Sequence, residues 1–484
     1  MTRKPLIVIT MLCLTLVIGA SIAAGIVKDT GLRSGAPGAG NPLSALNPFE
    51  LALFNEGKGR VGELETTCTT CAALTSGAPT GEAPLLATRT SVTGLNARFN
   101  ADQCIACHSQ PAIGGSGGFL VPNPSDSARR VPENPLFDLI PHRFGQINTV
   151  PSFIKQYGPI QIARLIKKPD GTPDGKIYPL FTIVGRKDDS SIPKCNATLL
   201  PQPDFETELR KGNVALRIPL QLFGLGLIEA LSDAEILGRH RATAVYRAQS
   251  AIVGVPNGSA SYRFGWKAQH KSLEQFTDAR EDFAPSMKQV SPQCIGPNTQ
   301  EAPVLLGSAA FDAPSADFIN PLVLLATSFM RYLDAPQPAT MSGLALRGQV
   351  LFGTTPEQPG IGCVACHTAQ MMTGEKVSTA ALQRRQVNLY SDLLLHHMGP
   401  GLADNITQGQ ARGDMFRTTP LWGLGQRRFF LHDGRTDDLL VAIDAHASPA
   451  SNAYPASEAN TVIARFKLLP PAEQQAILSF LRAL

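Results

Sequence analysis

A mainly α-helical chain of two like domains, with long loops and minor β hairpins, is predicted by three features. One five-residue motif occurs twice, as CIACH (104–108) and CVACH (363–367). The chain closes on PAEQQAILSFLRAL, where Ile477, Leu478, Phe480, Leu481 and Leu484 share one helical face. Glycine and proline are abundant, 43 and 38 of 484 residues, which favours long loops between helices. The composition, 43% hydrophobic and 17% charged, suits a globular chain of two or three domains. A net charge of +4 and the lack of a basic cluster interleaved with aromatics give no reason to expect nucleic acid.

The first residues read MTRKPLIVITMLCLTLVIGASIAAG. Arg3 and Lys4 form a basic n-region, Leu6 to Ile18 an apolar run, and Ser21-Ile22-Ala23 a small-residue cleavage site. Residues 1–24 are therefore expected to be a secretory signal peptide, an uncleaved anchor being the alternative. No later stretch is apolar and long enough to span a membrane, so none is expected after signal removal. Residues 25–47, rich in Gly, Pro and Ser, read as a linker. Residues 48–335 read as an N-terminal domain with insertions, holding a loop at 111–135, some short hairpins in 140–300 and a helix from Phe318 to Leu333. Residues 336–484 read as a compact C-terminal domain. It opens on a helix from Gly343 to Phe352 with Leu344, Leu346, Val350 and Leu351 as its apolar positions. LRIPLQLFGLG (216–226) echoes FRTTPLWGLG (416–425), a trace of domain duplication.

Cys-x-x-Cys-His is the attachment sequence for c-type haem. Two thiols one turn apart can form thioethers to the vinyl groups of one porphyrin, and the adjoining His supplies the proximal imidazole. The sets are Cys104, Cys107 and His108, and Cys363, Cys366 and His367. A redox dithiol beside an idle His is the bland alternative. A zinc site would need a second ligand pair at finger-like spacing, and none is present. The expected cofactors are two covalent c-type haems, and both domains are read as cytochrome c-like haem domains. Covalent c-haem is assembled outside the cytoplasm, so motif and leader together predict a periplasmic protein. Of nine cysteines, Cys13 leaves with the leader and four hold haem. Cys68, Cys71, Cys195 and Cys294 remain, with three possible disulfide pairings in an oxidising compartment.

The sixth iron position decides between electron transfer and reaction with oxygen or peroxide. For the second haem the candidates are Met371, Met372, Met398, Met415, His396, His397, His432 and His446. His446 lies in LLVAIDAHAS, a helical stretch that could turn it inward.

YSDLLLHHMGPGLAD (390–404), FRTTPLWGLGQRRFFLHDGRTDDLLVAI (416–443), RFNADQCIACHSQPAIGGSGG (98–118), NTVPSFI (148–154) and FGLGLIEAL (223–231) resemble the di-haem oxidoreductase family of peroxidase and thiol-oxidoreductase-like proteins. That family is similar to bacterial di-haem cytochrome c peroxidases and to the enzyme that matures tryptophan tryptophylquinone. The resemblance implies that His446 is the sixth ligand of the His367 haem, where peroxidases place Met. It implies that Trp266, in RFGWKAQHKSLEQF, carries electrons between the haems, and that His432 lies near the interface. It also favours an open or weakly held position at the His108 haem, with His142, His240 and His270 as candidate ligands.

Two departures stand out. Ser286 falls where peroxidases carry a catalytic Glu, so Glu281, Asp282 or Glu229 are the possible acid–base substitutes. Arg427-Arg428-Phe429 replaces the segment that holds calcium in peroxidases, so no calcium is expected there. The resulting expectation is a periplasmic di-haem c-type oxidoreductase of the cytochrome c peroxidase kind. Electrons from a small cytochrome c or cupredoxin would pass from the C-terminal haem to the N-terminal haem, which reduces peroxide or a related oxidant. A non-enzymatic two-haem electron carrier and an oxidase acting on a protein or organic substrate are the alternatives.

Overall fold

The computed structural model describes residues 26–62, 100, 104–118, 120–123, 126–137, 148–182, 201–278, 321–341 and 343–484. The leader, His142, Glu281, Asp282, Ser286, Cys68, Cys71, Cys195 and Cys294 lie outside the described residues. The helices are α1 (Pro48–Val61), α2 (Phe205–Arg210), α3 (Leu225–Glu229), α4 (Asp233–Ala242), α5 (Ala244–Gln249), α6 (Leu273–Asp278), α7 (Pro321–Tyr332), α8 (Gly343–Phe352), α9 (Leu439–Asp444), α10 (Asn460–Leu468) and α11 (Pro471–Ala483). The strands are β1 (Leu120–Asn123), β2 (Asp126–Pro132), β3 (Ile162–Leu165), β4 (Val214–Arg217), β5 (Met371–Met372), β6 (Gln386–Val387), β7 (Leu395–His397) and β8 (Met415–Arg417). They pair only as antiparallel twos, β1-β2, β3-β4, β5-β6 and β7-β8. The fold is mainly helical with minor sheet, as predicted, although β1 and β2 form a hairpin inside the stretch 111–135 read as loop.

Two helix crossings organise the molecule. In the first, α1 packs on α7, with Phe54 against Phe329 at 5.5 Å. In the second, α8 packs on α11, with Phe352 against Phe480 at 5.3 Å. Each crossing is closed by a glycine. A Cβ on Gly57 would lie 2.1 Å from the Leu325 carbonyl oxygen, and one on Gly348 would lie 1.9 Å from that of Ala476. All five predicted apolar positions of α11 are buried. The predicted face of α8 is wrong: Leu344, Leu346 and Val350 are about half exposed, and the helix buries Ala345, Gly348, Leu351 and Phe352. Small residues permit the close crossing, and that turns the bulky ones outward.

The same contacts recur in both halves, which gives the duplication a structural basis. SFMRYL (328–333) closes α7 and SFLRAL (479–484) closes α11. The Gly224 amide donates to the Leu333 carbonyl at 3.1 Å, and the Gly423 amide to that of Leu484 at 2.9 Å. Gly226 and Gly425, both inside the echoed sequences, lie against the carbonyls of Arg331 and Arg482. A turn follows in each half, bridged Phe264 to His270 and Phe430 to Thr436. Counting from these bridges pairs Trp266 with His432 and Leu273 with Leu439.

Residues 26–47 do not behave as a free linker. The Arg33 amide donates to Gly425 at 2.7 Å, Gln337 to Gly38 at 2.9 Å, and Leu43 to Tyr332 at 2.7 Å. Val27 packs on the core built around Phe352 and Phe480. A Gly/Pro/Ser composition hides this because these three bonds run between backbone groups, which sequence pattern does not report.

Candidate functional site

Cys363–Ala365 is a single 3₁₀ turn rather than the start of a longer helix. The Cys363 carbonyl accepts the amides of Cys366 (3.3 Å) and His367 (2.9 Å). Gly362 before it has φ 113°, and a Cβ there would strike the Tyr246 hydroxyl, so glycine is required on both counts. The turn aims Cys363, Cys366 and His367 into a cavity of about 220 Å³, which His446 also lines. His367 Nδ1 donates to the Tyr390 carbonyl at 3.0 Å, and His446 Nδ1 to that of Ala442 at 2.7 Å. In each ring Nε2 is the nitrogen left for a metal. Burial, with His446 nearby, pushes His367 down to about 4. Burial also lowers His446. Both imidazoles are therefore neutral at neutral pH, the form that ligates. Phe352, Leu439, Ile443, Phe466 and Ile477 supply apolar wall.

Arg417 and Arg427 line the same cavity and are buried. Arg417 Nε donates to Gly265 at 2.9 Å, and Arg427 Nε to Phe429 at 3.0 Å, in each case to a backbone carbonyl. Arg427 Nη2 has no partner among the described residues. Burial lowers both guanidiniums to about 10, so they stay charged. Among the described residues neither guanidinium makes an ion pair with a carboxylate, and buried cations of this kind call for an anion. A haem carries two propionates, so the thiols, imidazoles, apolar wall and guanidiniums all fit one.

His396 lines the cavity too, but both its nitrogens are engaged. Nε2 meets Asp392 at 3.0 Å and Nδ1 meets Glu458 at 2.8 Å. Arg247 Nη2 pairs with Asp392 at 2.7 Å. Burial opposes charge on His396, but the Cys366 thiol, while free, and Asp392 outweigh it and raise the pKa; Asp392 alone of the two persists as an acid once Cys366 is a thioether. His396 is thus a fixed charge rather than a free ligand. His397 bonds Asp414 at 2.8 Å.

Trp266 and His432 reach the same cavity. Their rings meet edge-on, with centroids 6.4 Å apart. The indole Nε1 donates to the Ile218 carbonyl at 2.9 Å. Phe416 stacks on His432 at 4.3 Å, and the Lys267 ammonium lies 4.1 Å from the Phe416 centroid. Lys267 is fully buried, bonded to the carbonyls of Arg412 (2.8 Å) and Met415 (2.9 Å) and paired with Asp404 at 3.1 Å. Sequence reasoning missed Lys267, although its place beside Trp266 was a usable signal.

Around the first motif, Cys104–Ala106 is again a 3₁₀ turn. His108 Nδ1 donates to Gly115 at 3.2 Å, and burial pushes the ring down to about 4. His240 Nε2 is engaged by the Val253 carbonyl at 2.8 Å, and His270 packs on Phe276. Glu229, predicted as an acid–base candidate, has a different task. One carboxylate oxygen pairs with Arg331 Nε at 2.8 Å and the other accepts the Leu273 amide at 3.0 Å. One carboxylate thus ties the start of α6 to the last turn of α7.

Residues 339–484 match the model of the family described as "Di-haem oxidoreductase, putative peroxidase". The C-terminal third thus bears out the resemblance. The match includes CVACH and His446, and it supports a di-haem redox role. A solved structure of a MauG-like protein associated with microbial copper homeostasis is similar at 16% identity, covering 46% of this chain and 71% of that one, with a TM-score of 0.30. No curated protein matches. No helix among the described residues is long and apolar enough to cross a membrane.

Proposed function

We propose that this is a periplasmic di-haem c-type oxidoreductase of the cytochrome c peroxidase kind, exported by residues 1–24. Its two haems, covalently held in cytochrome c-like domains, would supply one-electron chemistry, taking electrons from a small cytochrome c or cupredoxin and delivering them to peroxide or a related small oxidant. One observation carries the reading. Two neutral imidazoles, His367 and His446, each with Nδ1 held by a backbone carbonyl, line one cavity with two motif thiols, and Trp266 and His432 line it as well.

The protein groups have separate tasks. Cys363 and Cys366 anchor, His367 and His446 ligate, and Arg417 and Arg427 receive the propionates. The Trp266 indole bonds a backbone carbonyl, which accepts a hydrogen bond but cannot take the proton, so the ring keeps its N–H whenever it passes an electron. Lys267, whose pKa burial lowers to about 7, is a titratable cation behind Phe416 and His432.

Electron paramagnetic resonance of the oxidised and mixed-valence protein, with peroxide or cyanide added, tests the reading. The expected result is one low-spin centre assigned to His367/His446 and a second, ligand-responsive high-spin centre in at least one state. Peroxide should then be consumed with a reduced donor protein, and more slowly in Trp266→Phe. Two low-spin centres that ignore ligands in both states would leave an electron carrier. An open iron without peroxide turnover would favour the oxidase alternative.

A further inference from the structure

We infer that Asp29, on the segment preceding α1, is a positioning residue that holds His446 in place from outside the C-terminal domain; this rests on His446 being an iron ligand. Asp29 is about nine-tenths buried. Its Oδ1 accepts from Arg482 Nε at 2.8 Å, and its Oδ2 accepts from Arg482 Nη2 at 2.5 Å and from the Leu439 amide at 2.8 Å. Leu439 is the first residue of α9. Ala442, one turn on, offers the carbonyl that orients the His446 ring. One carboxylate therefore ties the start of the ligand-bearing helix to the last turn of α11.

The helix depends on such a tie. It has six residues, too few to be stable alone. Its N-cap, Asp438, satisfies the amides of Leu440 and Val441, and the Leu439 amide is left to Asp29. Arg482 extends the clamp. Its guanidinium lies over Phe430, 5.2 Å from the ring centroid, and reaches the Arg427 carbonyl at 3.4 Å. Phe430, Arg427, Leu439 and His446 all line the cavity.

The other half contains the same device. Glu229 pairs with Arg331 and accepts the Leu273 amide, at positions equivalent to Arg482 and Leu439. Counting from the glycine pair Gly224 and Gly423, the position equivalent to Glu229 is Arg428, a base. The second half lacks an acid of its own there and takes one from the N-terminal segment.

The test compares holo-protein variants Asp29→Asn, Asp29→Glu, Glu229→Gln and His446→Ala by electron paramagnetic resonance and imidazole titration. In Asp29→Asn a high-spin fraction is expected at the C-terminal haem, with the midpoint for imidazole lowered at least tenfold, toward the His446→Ala signature. Asp29→Glu keeps the charge but displaces the acceptor, and should shift both readouts less and in the same direction. Glu229→Gln should leave them at the wild-type values. If both Asp29 variants keep the wild-type signature, whatever their stability, Asp29 is structural only and the inference fails. If His446→Ala also keeps it, the ligand reading itself fails and the inference falls with it.

Discussion

Replacing Gly348 with alanine should separate the two helices that frame the C-terminal cavity. The added Cβ would sit 1.9 Å from the Ala476 carbonyl oxygen, 2.4 Å from its carbon and 2.9 Å from the Ile477 nitrogen. Real Cβ contacts with backbone are not found below about 3 Å, so α8 and α11 must part by about 1 Å. Backbone cannot yield as a flexible side chain does, which places the cost near the top of the overpacking range, about 3 kcal/mol. Alanine's better helix propensity returns about 1 kcal/mol, leaving a net loss of about 2 kcal/mol. Gly343, on the same helix, has nothing within 4 Å of an added methyl, so Gly343→Ala should be neutral or mildly stabilising. Gly57→Ala, at the matching crossing of α1 and α7, should behave like Gly348→Ala. Urea unfolding midpoints of the three holo-variants, followed by circular dichroism, give the answer. Equal midpoints for Gly348→Ala and Gly343→Ala would refute the close-crossing argument.

Three further outcomes are expected. Asp392→Asn leaves Arg247 buried without its carboxylate, His396 keeping only Glu458, and should cost about 3–5 kcal/mol in urea unfolding; a loss under 1 kcal/mol would mean that solvent reaches the cluster. Burial lowers Lys267 from 10.5 to about 7 despite Asp404, so between those pH values the unfolded chain binds the extra proton and stability rises with pH. At about 1.36 kcal/mol per pKa unit the rise is at most about 5 kcal/mol; urea midpoints at pH 6.5 and 9 should show it in the wild type and lose it in Lys267→Met. Arg427→Gln removes a buried positive charge at the cavity and should lower the potential of the C-terminal haem in a spectroelectrochemical titration; an unchanged potential would place the propionates elsewhere.

The sequence was legible where chemistry or bulk repeats. The two motifs and the apolar face of α11 follow from residue type and spacing, and the family resemblance singled out His446, which lines the cavity. It was misleading where closeness depends on small residues. Hydrophobic periodicity counts large side chains, so it assigned Leu344, Leu346 and Val350 inward, whereas Ala345 and Gly348 make the contact. It was silent where a polar group acts across a long stretch of chain. Asp29 and Arg482 are 453 residues apart, and no local pattern links them. Glu229 was an acid–base candidate because its segment, FGLGLIEAL, resembles the family; its ion pair with Arg331 spans 102 residues and is equally invisible.

The duplication also bears on how two similar halves could act in one direction. Each half extends its turn to the other. The Ile218 amide donates to His432 at 2.8 Å, and the Arg417 amide to Trp266 at 2.9 Å. Equivalent positions therefore face each other, and identical residues there would make transfer symmetric. The chain instead carries an oxidisable indole at one position and an imidazole at the other, 6.4 Å apart. The residue after each differs as well, Lys267 against Asp433, and Lys267 is the one buried beneath Phe416. Burial pushes His432 down to about 4, so the imidazole adds no charge at neutral pH, and the charges that act on it are those of Asp433, Asp404, Arg217 and Arg435. Exchanging the pair, as Trp266→His with His432→Trp, keeps an indole in the contact but removes its bond to the Ile218 carbonyl and changes its distance from Lys267. Stopped-flow measurement of electron transfer between the two haems should then show a slower rate than in the wild type. An unchanged rate would mean that an aromatic contact alone suffices and that the asymmetry of the turn does not set the path.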